Sequence, residues 1–470
     1  GEEIGLRLFV GRRSASVSSS DLSDEALAAL VDRAAALVEA ARKAGADAAD
    51  AIYSADASTG IQVRLGELED VVRSEGEEIG LRFFVGRRSA SVSSSDLSDE
   101  AMAALVERAA AMAREAPEDP YSGLAPEERL LRGSGVDVDG DDGADPSPPE
   151  LKRLALAIED AARSVAGVTN SEGAGASAGR SVVALATSHG FCRGYGTTGY
   201  NGMASVIAGT GGGMQRDYAY HSVRHFADLE APDAIGRRAG ERAVARLNPG
   251  KLSSGPMTVV FDPRVGGSLV SHLTGAMTGT AITRRTSFLI GRDGEAIFGP
   301  GVTIRDDPHR PRGLGSKPFD GEGLPTRPTD LVAGGVLGGW LLDSASARQL
   351  GLEPTGHATR ASGAPGVGTT NVQLEPGPLS PAELIADVKR GLYVTELIGQ
   401  GVNPVTGDYS RGASGFIIED GGIGTPVAEI TIAGSLLDMF RELTPASDLE
   451  HRRTVNVPTL RIEGMMVAGA

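Results

Sequence analysis

The sequence of this 470-residue chain predicts an α+β protein with two domains, an N-terminal domain of helices and antiparallel sheet and a C-terminal β-rich domain. Several segments place apolar residues at helical spacing between capping residues, which predicts amphipathic helices. Others are short apolar runs between glycine-rich turns, which predicts antiparallel strands. Apolar residues make up 40% and charged residues 23% of the chain, a composition typical of globular domains.

The N-terminal domain is predicted over residues 22–248. Its predicted helices are 24–44, 99–114, 151–165 and 232–247. Its predicted strands are 61–65, 68–72, 79–85, 89–93, 181–187, 203–209 and 215–223. The sequence Asn-Pro-Gly at 248–250 interrupts the pattern and marks the domain boundary.

The C-terminal domain is predicted over residues 249–470. It begins with a strand at 257–261 and a helix at 265–277, followed by a loop-rich stretch at 291–328. Short strands and glycine turns follow. Segment 391–419 contains two β-prone runs around a polar, glycine-rich centre, which is typical of a binding rim framed by strands.

Residues 1–36 are repeated almost unchanged at 76–111. The two copies differ at three pairs of positions, Leu8/Phe83, Leu27/Met102 and Asp32/Glu107. Repeat architectures diverge more and need about three copies, so the pattern indicates a recent or artificial duplication. Residues 1–21 are predicted to be an appendage without function; the alternative is a spare hairpin that pairs with a sheet edge.

Charge and cysteine content exclude several classes of function. The net charge of −17 and the lack of a basic stripe argue against nucleic acid as a partner. A single cysteine excludes an internal disulfide. No apolar run approaches the roughly 18 residues of a membrane helix, and the acidic start of the chain does not resemble a signal peptide. The cytoplasm is therefore the expected location, with no membrane partner.

Segment 133–150 is acidic and rich in glycine and proline. Counting a calcium loop from Asp137 puts Asp142 at the sixth position and Pro148 at the twelfth, where glycine and glutamate are needed. The segment is therefore predicted to be a surface linker.

Three other candidates for chemistry are weak. His221 and His225 lie on a predicted strand, where they would be about 13 Å apart, too far for one metal. His272 stands on a helix without the glutamate and second histidine of a zincin. Cys192 is predicted to be a small apolar core residue, because the sequence does not show that His189 reaches it.

Several blocks together resemble the TldD/PmbA family, also called the modulator of DNA gyrase family, and specifically its PmbA (TldE) branch. The blocks are AGADAADA at 44–51, GEEIGLRFFVGRRSASVSSSDL at 76–97, APEDPY at 116–121, VTNSEG at 168–173, SASARQLGLEPTGHATR at 344–360, residues 393–415 and VNVPTLRIEG at 455–464. They occur in the family's order from about residue 24 to the end.

The resemblance implies a heterodimeric zinc metalloprotease of the cytoplasm. A TldD-type chain would supply a His-Glu-x-x-x-His helix and a C-terminal cysteine as zinc ligands. Unfolded or modified peptides would enter an enclosed cavity as extended strands. In this chain the corresponding helix, 265–277, has one histidine and no glutamate, and 443–458 contains no cysteine.

The chain is therefore interpreted as a partner subunit with no catalytic residue and no metal ligand of its own, zinc being expected in the TldD-type partner. Two alternatives stay open: a stand-alone metallopeptidase that acts as a homodimer and uses His272, and a non-proteolytic peptide-binding or assembly module. A zinc measurement would distinguish the homodimeric metallopeptidase from the partner subunit. A pull-down would distinguish the binding module from it.

Peptide contacts are predicted at the lip of segment 391–419. The predicted residues are Thr395, Gly399, Gln400, Gly401, Asn403 and Ser410. They are polar residues or glycines next to β-prone runs. The alternative is that Asn403-Pro404 and Gly407-Asp408 only provide turn chemistry.

Overall fold

The computed structural model describes residues 6–10, 13–17 and 24–469, with side chains from residue 27 onward. Its mixture of helices and mainly antiparallel sheets confirms the predicted α+β class. Among the described residues, no helix is both long enough and apolar enough to cross a membrane.

The first half of the chain forms one large sheet. Its strands are β1 (Leu6–Val10), β2 (Arg13–Val17), β3 (Ala48–Arg64), β4 (Glu67–Val85), β5 (Arg88–Ser94), β6 (Val168–Thr187), β7 (Cys192–Ala208) and β8 (Gln215–Val223). They are ordered β1-β2-β4-β3-β6-β7-β8, and β5 pairs with the end of β4. In this order β8 is an edge strand.

The duplicated segment forms the hairpin β1–β2 beside β4. Strand β2 runs parallel to β4, with Ala15 opposite Val71. This placement at a sheet edge is the one that the alternative interpretation of residues 1–21 predicted. The statement that these residues lack a function stays a prediction, and so does the domain boundary near residue 248.

Helices cover one face of this sheet. They are α1 (Asp24–Lys43), α2 (Asp99–Glu115), α3 (Pro148–Arg163) and α4 (Pro232–Ala245). Side chains two residues apart on a strand share a face, and the odd-numbered residues of β3 face the helices. Tyr53 thus packs in a core with α1 and α2, and Ile61 in a core with α3 and α4.

The strands of this sheet are longer than the sequence predicts. The predicted strands 61–65 and 68–72 are only the ends of β3 and β4, and β6 extends far before residue 181. The missed parts are rich in alanine, serine and glycine, which have weak strand propensity. They are held by pairing with neighbouring strands, which overrides that propensity.

A small closed barrel dominates the second half. Its strands are β9 (Gly255–Phe261), β16 (Arg390–Ile398), β17 (Asp408–Glu419), β18 (Gly422–Ser435) and β21 (Leu460–Ala468), with β19 (Thr444–Pro445) attached. The order is β18-β17-β16-β9-β21, and pairing of β18 with β21 closes the ring. Helix α5 (Pro263–Ala276) directly follows β9 and contacts β16.

The remaining elements of the second half are short. They are the strands β10 (Ile304–Asp306), β11 (Thr329–Ala333), β12 (Val336–Leu337), β13 (Ala358–Thr359), β14 (Gly366–Val367), β15 (Val372–Leu374) and β20 (Val455–Asn456), and the helices α6 (Gly279–Thr283), α7 (Ser344–Leu350), α8 (Pro381–Ile385) and α9 (Leu436–Arg441). Strands β12, β11, β10, β15 and β20 form one sheet in that order. One large apolar core joins this sheet to the barrel.

Loops of the second half cover the other face of the large sheet. Phe319 and Leu324 pack there against Ile52 and Leu185. Beside them, the Arg360 guanidinium lies 2.7 Å from the carboxylate of Asp50 on β3, and both side chains are buried. The two halves of the chain are therefore joined by a buried ion pair as well as by apolar contacts.

The acidic segment 133–150 is bound to the large sheet rather than free of it. Asp141 accepts a hydrogen bond of 2.9 Å from Arg180 on β6. Asp142 accepts one of 2.8 Å from the backbone N–H of Phe226. These carboxylates accept from protein donors, which gives the segment a structural role beyond that of a linker.

Candidate functional site

A cavity lies where the large sheet meets helix α5 and the barrel. We call it the junction cavity; its volume is about 450 Å³. It is lined by Arg216, Asp217, Tyr218, Arg246, Arg264, Val265, Gly267, Ser268, Ser271, Thr395, Glu396, Leu397, Arg411, Arg453, Thr454 and Val455. Two smaller cavities, of about 290 and 330 Å³, share Tyr218 with it, so the hollow continues along β8.

Helix α5 forms one wall of the junction cavity. The helix begins at Pro263, and the carboxylate of Asp262 caps it by accepting from the N–H of Arg264 at 2.9 Å. Arg264, Gly267, Ser268 and Ser271 follow helical spacing, so they share the face that lines the cavity. The opposite face is apolar and buried against the barrel.

The junction cavity is positively charged although the whole chain is acidic. Five arginines and two carboxylates line it, which leaves an excess of three positive charges. The chain as a whole carries a net charge of −17. A concave site of opposite sign to the rest of the surface concentrates anionic ligands.

Most of these arginines are already paired. The guanidinium of Arg264 holds the Asp217 carboxylate through two hydrogen bonds, of 2.7 and 3.1 Å. Arg246 lies 3.5 Å from the same carboxylate and also bonds Glu396. Burial raises the pKa of Asp217, but the hydrogen bonds and charge of Arg264 outweigh it and leave the pKa below its usual value. These groups form a fixed ionic wall.

Arg411 is not part of this wall. Among the residues that the structure describes, neither Arg411 nor Arg453 has a carboxylate partner, but Arg453 donates to the carbonyl of Arg264, whereas the buried Nε of Arg411 makes no hydrogen bond. It lies on β17 two residues from both Tyr409 and Ala413, so alternation places it on the same face as these buried side chains.

Three more buried polar atoms near Arg411 make no hydrogen bond to the described residues. They are the Tyr409 hydroxyl, the Thr395 hydroxyl and the Nε2 of His272. The rings of His272 and Tyr409 meet edge to face with centroids 6.2 Å apart. Arg411 and Thr395 line the junction cavity, and Tyr409 and His272 lie beside Arg411. Buried polar groups normally have a partner, so this group of unpartnered atoms distinguishes the region. We call these four residues the Arg411 cluster.

The donors around α5 do not fit a catalytic zinc site. Such a site uses about three protein ligands and keeps one position open. The helix has His272 as its single histidine and contains neither glutamate nor aspartate. Burial and the charge of Arg411 lower the pKa of His272, and a cation beside the imidazole opposes metal binding. Nowhere in 27–469 do three or more His, Cys, Asp or Glu side chains come together in a way that could hold a metal.

The predicted peptide contacts separate into two places. Thr395 is buried, lies at a bulge in β16 and lines the junction cavity. The other five, Gly399, Gln400, Gly401, Asn403 and Ser410, are exposed and are not among the described residues that line it. The structure therefore brings one of the six to the cavity.

The loop after β16 shows turn chemistry. The side-chain oxygen of Asn403 accepts from the N–H of Val405 at 2.9 Å, which is an Asx turn. The N–H of Ser410 bonds the carbonyl of Gly401 at 2.7 Å. A Cβ at Gly401 would lie 1.7 Å from the Ser410 carbonyl oxygen, so only glycine fits there. These contacts favour the turn interpretation, and a role in peptide binding stays a prediction.

The structure shows that the prediction of Cys192 as a core residue is wrong. It is exposed at the start of β7 and is not a core residue. Partial burial and the negative charge of Asp32 raise the pKa of its thiol, which disfavours the nucleophilic thiolate. The ring of His189 bonds Thr187 and the carbonyl of Ala125. The misprediction arose because cysteine is a frequent core residue, whereas this one begins a strand at the sheet's margin.

The two histidines near β8 have separate partners, and only His221 lies on the strand, which ends at Val223. His221 accepts a hydrogen bond of 3.1 Å from the N–H of Glu230. His225 lies after the strand, 3.3 Å from the Asp139 carboxylate.

The charged cavity residues that were not predicted from the sequence are mainly arginines. Arg411 stands between Tyr409 and Ala413 at the period of two typical of a strand, within the segment that the sequence emphasised. The strand period alone could therefore have predicted that Arg411 places a cation on the buried side of the strand. The pairing of Arg264 with Asp217 could not be predicted in this way, because 47 residues separate them.

Comparison with known proteins identifies the class of these domains. Family models described as PmbA/TldA metallopeptidase domain 1, central domain and C-terminal domain match residues 1–38 and 49–113, 141–247, and 254–469, respectively. The chain is 38% identical over 425 residues to the metalloprotease PmbA of Escherichia coli O157:H7, covering 90% of this chain and 92% of that protein.

Two further comparisons agree. The metalloprotease PmbA homolog of Haemophilus influenzae is 36% identical over 437 residues, covering 92% of this chain and 94% of that protein. The crystal structure of TldE from Thermococcus kodakarensis shares the fold with a TM-score of 0.83 at 22% identity, covering 92% of this chain and 99% of that one. This chain belongs to the PmbA/TldD family.

Proposed function

We propose that this chain is the non-catalytic PmbA/TldE-type subunit of a cytoplasmic two-chain zinc peptidase that cleaves unfolded or modified peptides. One observation carries the proposal: helix α5 lines the cavity, yet offers a single histidine and no carboxylate. A TldD-type partner would then supply the zinc and the general base.

The role of this chain is to close the cavity and hold the peptide. Strand β8 lies at the edge of its sheet, and its residues Arg216, Asp217 and Tyr218 line the junction cavity. A sheet edge has free backbone donors and acceptors, to which an extended peptide can add as another strand. Such binding is nearly independent of side chains and therefore suits unfolded peptides of varied sequence.

Reconstitution tests the proposal. We expect the purified chain to contain far less than one zinc and to cleave no unfolded peptide, and cleavage to appear when a TldD-type chain is added. The control is the same mixture with both histidines of the partner's His-Glu-x-x-x-His motif changed to alanine, which should be inactive. A wild-type mixture that leaves several unfolded peptides uncut would contradict the proposal.

The homodimeric metallopeptidase is a rival because the Nε2 of His272 is buried without a hydrogen bond to the described residues. It predicts about one zinc per chain and activity of the chain alone that His272→Ala removes. The third interpretation, a binding module, predicts peptide binding without turnover in the mixture. The zinc content and the activity of the mixture thus separate all three.

A further inference from the structure

The Arg411 cluster has the properties of an incomplete binding site. Arg264 and Arg246, the arginines of the ionic wall, have carboxylate partners, whereas Arg411 has none among the described residues. Thr395 is 5% exposed and Tyr409 1% exposed; neither hydroxyl donates a hydrogen bond to the described residues, and the Arg411 guanidinium lies beside the Tyr409 oxygen. Such groups lose their hydration on burial and gain nothing in return unless a ligand supplies the missing bonds.

The protonation states of the cluster define the ligand. A guanidinium only donates hydrogen bonds. Burial raises the pKa of Tyr409 to about 12, so its phenol keeps its proton at neutral pH and can donate. The Thr395 hydroxyl can donate as well. Arg411 and Thr395 line the cavity and Tyr409 lies beside Arg411, so these donors, one of them cationic, call for a ligand that only accepts and carries negative charge.

A carboxylate meets these requirements. Its two oxygens match the fork of a guanidinium, and they accept from neutral donors on their remaining lone pairs. The three excess positive charges of the cavity favour such a group over its neutral analogue.

We propose that the Arg411 cluster binds a carboxylate of the peptide, either its C-terminal carboxylate or an acidic side chain. The proposal rests on the proposed function in taking a peptide as the ligand. It adds that the peptide is selected for a negative charge at one position, and that Arg411 is the residue that selects it.

Three acetylated hexapeptides test this by calorimetric titration of the purified chain. The first has no acidic residue and ends in a free carboxylate, the second is its C-terminal amide, and the third is the amide with one internal glutamate. We expect the first or the third to bind about tenfold more tightly than the second. Which of them does so identifies the source of the carboxylate.

Two variants assign the preference to Arg411. Arg411→Gln should remove the difference between the charged peptides and the neutral amide, whereas Arg411→Lys should keep part of it. Arg305→Gln is the matched control, because it removes an arginine outside the cavity, paired with Asp330 at 2.7 Å, and should preserve the preference. Thermal unfolding of each variant confirms that it is folded.

Three outcomes would overturn the inference: no binding of any of the three peptides, equal binding of all three, or a preference that survives in Arg411→Gln. None of these measurements uses a TldD-type chain. If the mixture with that chain is inactive but the Arg411-dependent preference is present, the subunit proposal fails and the carboxylate site stands.

Discussion

At the scale of single residues, the junction cavity contains both a charge that is balanced inside the protein, that of Asp217, and one that the described residues do not balance, that of Arg411. Asp217 is 3% exposed but accepts from Arg264 and faces Arg246, so its charge is balanced inside the protein. A buried ion pair is close to neutral in its net contribution to stability, whereas removal of one partner is costly. The wall around Asp217 is therefore fragile to single substitutions.

Arg264→Gln should destabilise the fold by about 3 kcal/mol, because it leaves the buried carboxylate with Arg246 alone at 3.5 Å. Urea unfolding monitored by circular dichroism measures the change in the free energy of unfolding. The control is Arg305→Gln, which breaks an exposed pair with Asp330 and should cost under about 1 kcal/mol. Equal losses in the two variants would contradict the argument.

The same pair gives a pH dependence. The pKa of Asp217 is lowered in the folded state, so its charged form stabilises the fold above the unfolded pKa of about 4, and this contribution is lost as the pH falls through the folded value. The Arg264→Gln variant should lose less stability than the wild type on acidification below about pH 4.

At the scale of elements, the contact of β16 with β17 positions both Thr395 and Arg411. The register shifts at Thr395, between Val394 and Glu396. Opposite this bulge stands Gly415, where a Cβ would lie 1.9 Å from the Tyr393 carbonyl oxygen. The bulge and the glycine are therefore one structural feature, and it sets the cavity's edge.

Gly415→Ala should destabilise the fold by about 2 kcal/mol, since the strands must separate to admit the methyl group. It should also weaken binding of the carboxylate peptides by displacing Thr395. Gly424→Ala on β18 is the matched control: its Cβ would lie 3.8 Å from the Ile417 carbonyl oxygen, an ordinary contact. A folded Gly415→Ala protein with wild-type stability and binding would contradict this.

At the scale of the whole molecule, a buried polar cluster joins the two halves. Asp50 on β3 holds Arg82 on β4 and Arg360 from the second half. Glu322 is 4% exposed, and its charge interacts with that of Arg82. Its carboxylate accepts hydrogen bonds from the N–H and the hydroxyl of Ser344. Burial and the charge of Asp320 raise the pKa of Glu322 to about 7.

This shift predicts a loss of stability as the pH rises. The protonated form of Glu322 stabilises the fold fully below its ordinary pKa of 4.5, and that contribution disappears as the pH rises through about 7. Glu322→Gln, which mimics the protonated acid, should match the wild type at pH 4 and be more stable by about 1–3 kcal/mol at pH 8. Urea unfolding at both pH values tests this. Glu128→Gln, at an exposed position, should show no such difference, and a Glu322→Gln protein that is less stable at pH 8 would contradict the argument.

The sequence predicted elements whose signals are local. Helix α3 was predicted within a few residues because a regular apolar stripe marks it, although Pro148 and Glu150, which begin the helix, were assigned to the preceding linker. The first half of β3, with its alanines and serines, was missed because its stability comes from β4 and β6 on either side. Local sequence patterns reflect intrinsic propensity, and they do not predict pairing between strands that are distant in the sequence.

The candidate site was predictable only in outline. The segment 391–419 contains Thr395 and Arg411, and α5 was correctly placed near residues 265–277. Arg411 is important because it lacks a carboxylate partner among the described residues, and Asp217 does not serve as one because it pairs with Arg264 and Arg246. No local sequence pattern shows that pairing. The loop around Asn403 was misleading because turn residues and binding residues have the same composition.

The closure of the barrel also governs when the cavity can form. Phe261 on β9 pairs with Leu460 on β21, and nearly two hundred residues lie between them. During synthesis, helix α5 follows β9 at once, whereas the strand that completes the ring emerges much later. Contacts so distant in sequence form slowly. Arg264 on α5 therefore stays outside a closed cavity through most of translation, and competence to bind a ligand is among the last properties that the folding chain acquires.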